Sequence, residues 1–238
     1  MIGVKLTRLL VISDIHSNYT ALKTVLDAAE PFDGVLFAGD IVGFGPHPNE
    51  CVDVIRKLDV KSVMGNHDHA IIRNDYSSYP DDVGKADSIN RSMITLGNLE
   101  WVMSQPETLD LEIEGLKVSL IHANPVTPLK GYVHQKDAIT RSSEFQGLTG
   151  ADLLILGHTH RPYIHRTRGF TILNPGSVGL PRDEPRASFM YLDIEDGEFD
   201  VTHKRVEYDY DANADAMSKL GLPEQYVERM RTGPAPRI

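Results

Sequence analysis

Short apolar runs alternate with segments of helical periodicity in the first quarter of the chain. Residues 9–12 have the composition of a buried strand, and residues 19–30 carry leucine and valine at helical spacing. A second unit of the same kind follows, with a strand at residues 34–41 and a helix at residues 48–58. This alternation predicts an α/β fold in which helices cover a sheet.

Later segments extend this pattern without dividing the chain. Residues 74–87 are polar and predict an exposed loop, whereas residues 212–231 predict a C-terminal helix. Strands predominate from residue 151 onward, and we expect them at residues 153–156, 163–166, 170–173, 187–194 and 199–206. No repeat, linker or low-complexity segment separates two parts. We therefore expect one domain over residues 1–238.

The composition excludes several classes of protein. A chain of 238 residues with 41% hydrophobic residues can bury a large core. Cys51 is the only cysteine, so neither an intramolecular disulfide nor a thiolate-rich metal site can form, and a reducing cytoplasm is expected. The first apolar run ends at Asp14, and no later run has the length needed to cross a bilayer.

The net charge is −10, opposite in sign to the broad basic surface with which proteins bind a nucleic-acid backbone. We therefore expect a small substrate rather than a nucleic acid. If that substrate is anionic, the attraction must be local, and bound metal ions can supply it.

Candidate metal-binding residues occur in five short segments at or just after predicted strand ends. These segments are Asp14-Ile15-His16, Gly39-Asp40, Gly65-Asn66-His67-Asp68, His122-Ala123-Asn124 and Gly157-His158-Thr159-His160. Sites in helix-covered sheets form beyond the carboxyl ends of the strands, where loops leave the scaffold. We therefore expect the five segments to converge on one site.

The residue types and their spacing fit metal coordination. Extended backbone places alternate side chains on the same side, so Asp14 and His16 are expected to converge on one point, as are His158 and His160. The two oxygens of Asp40 can bridge two ions about 3.5 to 4 Å apart, the separation usual in two-metal hydrolases. Asn66 offers a neutral oxygen and His122 a nitrogen.

In sequence order, the motifs D-x-H, GD, GNH, a single H and GH-x-H resemble those of the calcineurin-like metallophosphoesterase superfamily. The resemblance covers the chain from Asp14 to His160 and implies a four-layer α/β/β/α sandwich. It implies that one divalent cation is held by Asp14, His16, Asp40 and His160. It implies that a second cation is held by Asp40, Asn66, His122 and His158.

The activity implied by this resemblance is hydrolysis of a phosphodiester or phosphomonoester by a hydroxide bound to both metals. Manganese or iron is the expected metal, and zinc, nickel or cobalt also suit oxygen and imidazole ligands. Two divalent ions and the carboxylates of Asp14 and Asp40 together carry about +2, which gives an acidic protein a cationic pocket. The resemblance places His67 beside the metals, where it protonates the leaving oxygen or stabilises the transition state. Asn66 and His67 would both contact the substrate.

The sequence departs from the Ser/Thr protein phosphatases of this superfamily, which carry GD-x-V-D-R-G. Residues 39–45 read GDIVGFG here, so the aspartate that orients the catalytic histidine and the arginine that holds phosphate are both absent. We expect Asp68 to orient His67 instead, and Arg182 to reach a substrate phosphate. The segments at residues 39–48 and 174–179 are more similar to the small bacterial and archaeal phosphodiesterase-type members.

Three alternatives to a simple phosphate ester remain open. Within the enzyme class, the substrate is a dinucleoside polyphosphate or a phosphoprotein. The alternative outside that class is a non-catalytic scaffold, similar to the retromer subunit that shares this fold but has lost catalytic residues. The intact His67 and the full ligand set favour an enzyme. The sequence does not indicate an oligomeric state.

Overall fold

The computed structural model describes residues 6–233, which form ten strands and eight helices. The strands are β1 (Thr7–Ile12), β2 (Gly34–Phe37), β3 (Val60–Ser62), β4 (Thr108–Ile113), β5 (Leu116–Ile121), β6 (Leu153–Ile155), β7 (Tyr163–Thr167), β8 (Phe170–Asn174), β9 (Ala187–Glu195) and β10 (Glu198–Val206). The helices are α1 (Tyr19–Ala28), α2 (Pro48–Ile55), α3 (Asn66–Arg73), α4 (Asp81–Met93), α5 (Leu96–Met103), α6 (Gln135–Thr149), α7 (Tyr210–Lys219) and α8 (Glu224–Thr232). Residues 1–5 and 234–238, which the predicted single domain includes, lie outside this description.

The strands form two five-stranded sheets. The first has the order β10-β9-β1-β2-β3, in which β1, β2 and β3 are parallel and β9 runs antiparallel to β1. The second has the order β4-β5-β6-β8-β7, with β5, β6 and β8 parallel and an antiparallel strand at each edge. The three parallel strands are adjacent in each sheet, so their carboxyl ends lie at the same edge of that sheet.

Alternate residues of the central strands pack in different layers. Leu9 and Val11 of β1 pack with Leu120 and Leu153 of the second sheet, whereas Leu10 packs on the opposite face against α1 and α2. The outer face of the second sheet is covered by α6 through Ala138 and Phe145. Full burial of one such leucine contributes about 1.5–3 kcal/mol. The predicted four-layer α/β/β/α sandwich is confirmed.

Two predicted boundaries are wrong for a reason of backbone conformation. The strand expected over residues 34–41 ends at Phe37, because Gly39 and Asp40 adopt positive φ angles of 88° and 59° that a strand does not allow. The helix expected over residues 212–231 is two helices, α7 and α8. Gly221, with a φ of 70°, and Pro223, which lacks an N–H, interrupt it.

The loop predicted at residues 74–87 is shorter than expected. Helix α4 begins at Asp81, directly after Pro80, and its first turn carries two aspartates, which favour a helix N-terminus. Asp87 is fully buried on this helix rather than exposed. Among residues 6–233, no helix combines the length and the apolar character needed to span a bilayer.

Candidate metal centre

All five predicted segments converge at the carboxyl ends of the parallel strands. The Asp14 N–H donates to the Gly39 carbonyl at 2.9 Å, which joins the loops that follow β1 and β2. The Gly157 N–H donates to the His122 carbonyl at 2.8 Å, which joins the loops that follow β5 and β6 in the other sheet. The His158 N–H donates to Asp14 Oδ2 at 3.0 Å, so the candidate site lies where the loops of the two sheets meet.

The first of two clusters consists of Asp14, His16 and His160, all buried. Asp14 Oδ1 lies 3.2 Å from His160 Nε2 and 3.7 Å from His16 Nε2. The two imidazole Nε2 atoms are 3.1 Å apart. Each of the three side chains therefore directs one potential ligand atom at the same small volume.

The second cluster consists of Asp40, His122 and His158, with Asn66 beside it. Asp40 Oδ2 lies 3.2 Å from His122 Nε2 and 3.7 Å from His16 Nε2, so this one oxygen faces both clusters. The Asn66 Oδ1 atom is 3.0 Å from His122 Nε2. The second carboxylate oxygen of Asp40 is engaged elsewhere, because Oδ1 accepts the His67 N–H at 2.9 Å.

The carboxylate oxygens that face the clusters have no hydrogen-bond donor among the described residues. Asp14 Oδ1 and Asp40 Oδ2 are both buried and without a partner there, although a buried unpaired carboxylate oxygen is strongly unfavourable. The opposite oxygen of each carboxylate does accept a backbone N–H, from His158 for Asp14 and from His67 for Asp40. A divalent cation at each cluster would satisfy the remaining oxygens, so the residues fit the metal ions that the sequence predicts.

Three imidazoles are oriented by a hydrogen bond at Nδ1, so that Nε2 is the nitrogen directed at the clusters. Nδ1–H donates to the carbonyl of Val42 in His16, of Ala38 in His122 and of Leu180 in His160. Burial lowers the pKa of His16 and His160, and it lowers the pKa of His158 to about 3. The rings of His16, His158 and His160 are therefore neutral near pH 7, the form that binds metals.

The convergence of these side chains does not arise from extended backbone, which the spacing of the motifs led us to expect. Asp14 and His16 have φ angles of 54° and 48°, and His158 and His160 have φ angles of 65° and 55°, all in the left-handed region. His158 and His160 also belong to different clusters. The turns after the strands, rather than strand alternation, aim these ligand atoms.

The expectation that Asp68 orients His67 is wrong. His67 Nδ1 lies 2.7 Å from Asp87 Oδ2, and Asp87 is a buried residue of α4. Burial opposes protonation of His67, but the charges of Asp87 and Asp40 outweigh it and raise the His67 pKa. The sequence contains one signal for the role of Asp87. Asp87 and Asn90 are three residues apart, so on a helix both would lie on the same face, directed at the same loop.

Asp68 instead holds the loop that carries Asp40. Its carboxylate accepts the backbone N–H groups of Gly65, Asp40, Ile41 and Val42, at 2.9 to 3.1 Å. The bond from Gly65 is part of the N-terminal cap of α3, because Asp68 is the third residue of the helix and Gly65 is its N-cap. Asn90 supports the same loop, because it accepts the Gly43 N–H and donates to the Gly45 carbonyl.

Asn66 is held by Tyr79, a link that nothing in the sequence indicates. The Asn66 Nδ2 atom donates to the Tyr79 hydroxyl at 2.9 Å, and that hydroxyl donates to the Asn66 carbonyl at 3.0 Å. The amide is therefore fixed with its oxygen toward His122. This is the orientation that a metal ligand requires.

Arg182 lies beside the first cluster, where its backbone N–H donates to the His160 carbonyl at 3.2 Å. Its side chain lines a cleft of about 550 Å³ together with Arg161 of the loop after His160 and Arg229 of α8. This cleft is next to the two clusters and separate from them. The structure thus places Arg182 in a group of three arginines, and its contact with a substrate phosphate stays a prediction.

Comparison with known proteins agrees with this geometry. The family model for the calcineurin-like phosphoesterase superfamily domain matches residues 8–197. An uncharacterized protein of Methanocaldococcus jannaschii is 34% identical over 94% of this chain and 97% of its own length. A Methanothermobacter thermautotrophicus protein named "Probable metallophosphoesterase" is 32% identical over 78% of this chain and 86% of its own length.

A solved structure extends the likeness to the whole fold. The crystal structure of a metallophosphoesterase from Sphaerobacter thermophilus has a TM-score of 0.81 and 32% identity, covering 95% of this chain and 99% of its own. Together with the family match over residues 8–197, this similarity means that the chain belongs to the calcineurin-like phosphoesterase superfamily.

Proposed function

We propose that this protein is a metal-dependent hydrolase of small phosphate esters with a site for two divalent cations. One observation carries the proposal. Asp14 Oδ1 and Asp40 Oδ2 are buried without a hydrogen-bond donor among the described residues, and each faces imidazole Nε2 atoms. A site built for protein hydrogen bonding alone would have paired these oxygens.

The proposed ligands divide between the two clusters, with Asp40 Oδ2 shared between them. The first cation is assigned to Asp14, His16, Asp40 and His160. The second cation is assigned to Asp40, Asn66, His122 and His158. When bound, such ions supply an activated water and neutralise the charge on phosphoryl oxygens. The family resemblance favours manganese or iron, and the oxygen and nitrogen donors suit zinc, nickel or cobalt as well.

His67 is proposed to donate a proton to the leaving oxygen. Asp87 holds Nδ1, so Nε2 is the nitrogen that remains to transfer a proton. The ring lies beside that of His16, with centroids 5.1 Å apart, which places it at the edge of the first cluster. A protonated imidazole at this point would also stabilise charge that develops on the ester oxygen.

The experiment that tests the proposal uses metal-stripped protein with one aryl phosphomonoester and one aryl phosphodiester. Hydrolysis should be absent after stripping and should return when Mn²⁺ is added. Turnover that persists without metal would refute the proposed mechanism. A scaffold would bind metal and hydrolyse neither ester, so the same experiment separates an enzyme from the non-catalytic alternative.

Two variants separate metal binding from proton transfer. Asp40→Asn should lose both metal and activity, because the shared oxygen loses its charge. His67→Ala should retain metal, measured by elemental analysis, and should slow the hydrolysis of esters with poor leaving groups by about 10²-fold or more. A His67→Ala variant with wild-type turnover on such an ester would contradict the assigned role.

A further inference from the structure

The cleft beside the metal centre has walls from three parts of the chain. Arg161 follows His160, Arg182 lies in the loop after β8, and Arg229 comes from α8, which also contributes Gln225 and Glu228. Its volume of about 550 Å³ lies within the usual size of a small-molecule site. The cleft is therefore large enough for a substituent of a substrate whose ester group lies at the metals.

Two arginines of this cleft, Arg182 and Arg229, are not neutralised by a carboxylate. Within residues 6–233 neither forms an ion pair, and the Arg229 guanidinium donates to the Pro181 carbonyl at 3.0 Å. Burial and the charges of Arg182 and Arg161 lower the pKa of Arg229. Among the described residues, Glu228 is the one acidic residue that lines the cleft. The cleft is therefore a locally cationic surface on a protein of net charge −10.

The cleft borders the segment that carries His160. Arg161 is bonded to His160 through the peptide, so their Cα atoms are about 3.8 Å apart. The Arg182 N–H donates to the carbonyl of the same histidine. Two of the three cleft arginines are therefore joined through the backbone to a candidate ligand of the first cluster.

The cleft-lining residues of α8 lie outside the part of the chain that the family model matches. The family model ends at residue 197, whereas α8 spans Glu224–Thr232. This helix is anchored by Val227 and Met230, which pack with Phe44 and Leu180 in one buried cluster. The C-terminal segment thus adds Arg229 and its neighbours to a cleft whose other two arginines, Arg161 and Arg182, lie within the matched residues.

We propose that the cleft formed by Arg161, Arg182 and Arg229 binds a second phosphoryl group of the substrate, so the enzyme selects esters that carry two phosphates. This inference rests on the proposed function for the position of the first phosphate. Guanidinium groups match phosphate oxygens in charge and in bidentate geometry, which is why arginine is favoured for such contacts. A monophosphate would occupy the metals and leave the arginine cleft without its ligand.

Kinetic discrimination between matched substrates tests the proposal. The substrates are alkanediol monophosphates and the corresponding bisphosphates, with spacers of three to eight carbons as the probe of distance. At the best spacer length, wild type should show a kcat/KM at least about tenfold higher for the bisphosphate. In Arg229→Gln this ratio should fall toward one, and Arg229→Lys should restore part of it. Equal kcat/KM values for both substrates at every length would overturn the proposal.

Two variants on the same helix control for charge and folding. Arg231→Gln removes an exposed guanidinium that pairs with Asp215, and the wild-type ratio should persist. Glu228→Gln removes the opposing carboxylate, and the ratio should rise. If Arg231→Gln lowered the ratio as much as Arg229→Gln does, net charge rather than the cleft would be responsible and the proposal would be wrong.

Binding of inorganic phosphate to metal-stripped protein separates this inference from the proposed function. Isothermal titration should show phosphate binding that is at least about tenfold weaker in Arg229→Gln than in wild type. If no ester is hydrolysed but this difference is found, the catalytic proposal fails and the anion site stands. Phosphate affinity that is equal in both proteins would refute the cleft as an anion site.

Discussion

Gly65→Ala should disrupt the metal centre through a single methyl group. A Cβ at Gly65 would lie 2.6 Å from Asp40 Cγ and closer still to Asp40 Oδ1 and to the Asp40 backbone nitrogen. The backbone of Gly65, with φ −95° and ψ 176°, is one that alanine adopts without strain. The effect of the substitution is therefore steric, and it falls on the carboxylate that faces both clusters.

The magnitude follows from how far Asp40 must move. To reach ordinary van der Waals contact at 3.4 Å, Asp40 Cγ would have to shift by about 0.8 Å, and Oδ1, which would lie 2.0 Å from the new methyl group, by about 1.4 Å. This shift of Oδ1 would lengthen its 2.9 Å hydrogen bond from the His67 N–H beyond hydrogen-bond range. Overpacking and the lost bond to a charged acceptor together destabilise the fold by about 3–5 kcal/mol. For a chain of this size that lowers Tm by roughly 10 °C.

Thermal unfolding measured with chelator and with Mn²⁺ tests this reasoning. Metal affinity should fall by about 10–100-fold, the usual effect of disturbing the support of a ligand. Gly147→Ala is the matched control. Gly147 lies inside α6, and apart from the neighbouring backbone of that helix no described atom lies within 4 Å of the point where an alanine methyl would stand, so this change should stabilise the protein by about 0.8–1 kcal/mol. Wild-type metal affinity and Tm in Gly65→Ala would show that the close packing around Asp40 is not required.

Three further predictions concern the support of the site and the metals themselves. Asp87→Ala should reduce kcat by about 10–10²-fold with metal content unchanged, since its carboxylate holds His67 Nδ1 and no candidate metal ligand; a loss of metal would contradict this. Asp68→Asn should lower the free energy of unfolding by about 2–4 kcal/mol, measured by urea denaturation, because an amide cannot accept all four N–H groups; unchanged stability would count against the loop-holding role. Removal of metal with a chelator should lower Tm, since a free cation at 100 times its Kd stabilises the fold by about 2.7 kcal/mol per site; an unchanged Tm would mean that neither cluster binds metal.

Features that depend on local pattern could be predicted from the sequence. The apolar run of β1 indicates a central strand, and the polar segments after the strands indicate the loops that meet at the site. The convergence of His122 and His158 follows from the rule that loops at the carboxyl ends of parallel strands share one edge. The layer order follows from the family resemblance, because strand periodicity does not by itself show which sheet a strand joins.

Features that depend on contacts between distant segments could not be predicted. The polar neighbours of Asp87 indicate an exposed loop, and only the packing of α4 against the loop after β2 buries this residue beside His67. Asp68 follows His67 in the chain, but the helical turn sends its carboxylate toward the backbone of Asp40 instead. Adjacency in sequence is therefore a poor guide to which acid orients the histidine.

The backbone conformation of the candidate ligands is unfavourable for the stability of the chain alone, and bound cations would account for it. Five of the candidate ligands adopt left-handed φ angles without being glycine: Asp14, His16, Asp40, His158 and His160. Each such residue costs on the order of 1–3 kcal/mol, least for aspartate, so together they oppose folding by an amount comparable to the usual net stability of a protein. The two unpaired carboxylate oxygens add to this cost. The strained φ angles and the unpaired oxygens occur at the same site. Bound cations would offset the cost of both, because metal–ligand bonds would use the backbone conformations and the free oxygens that are unfavourable without them.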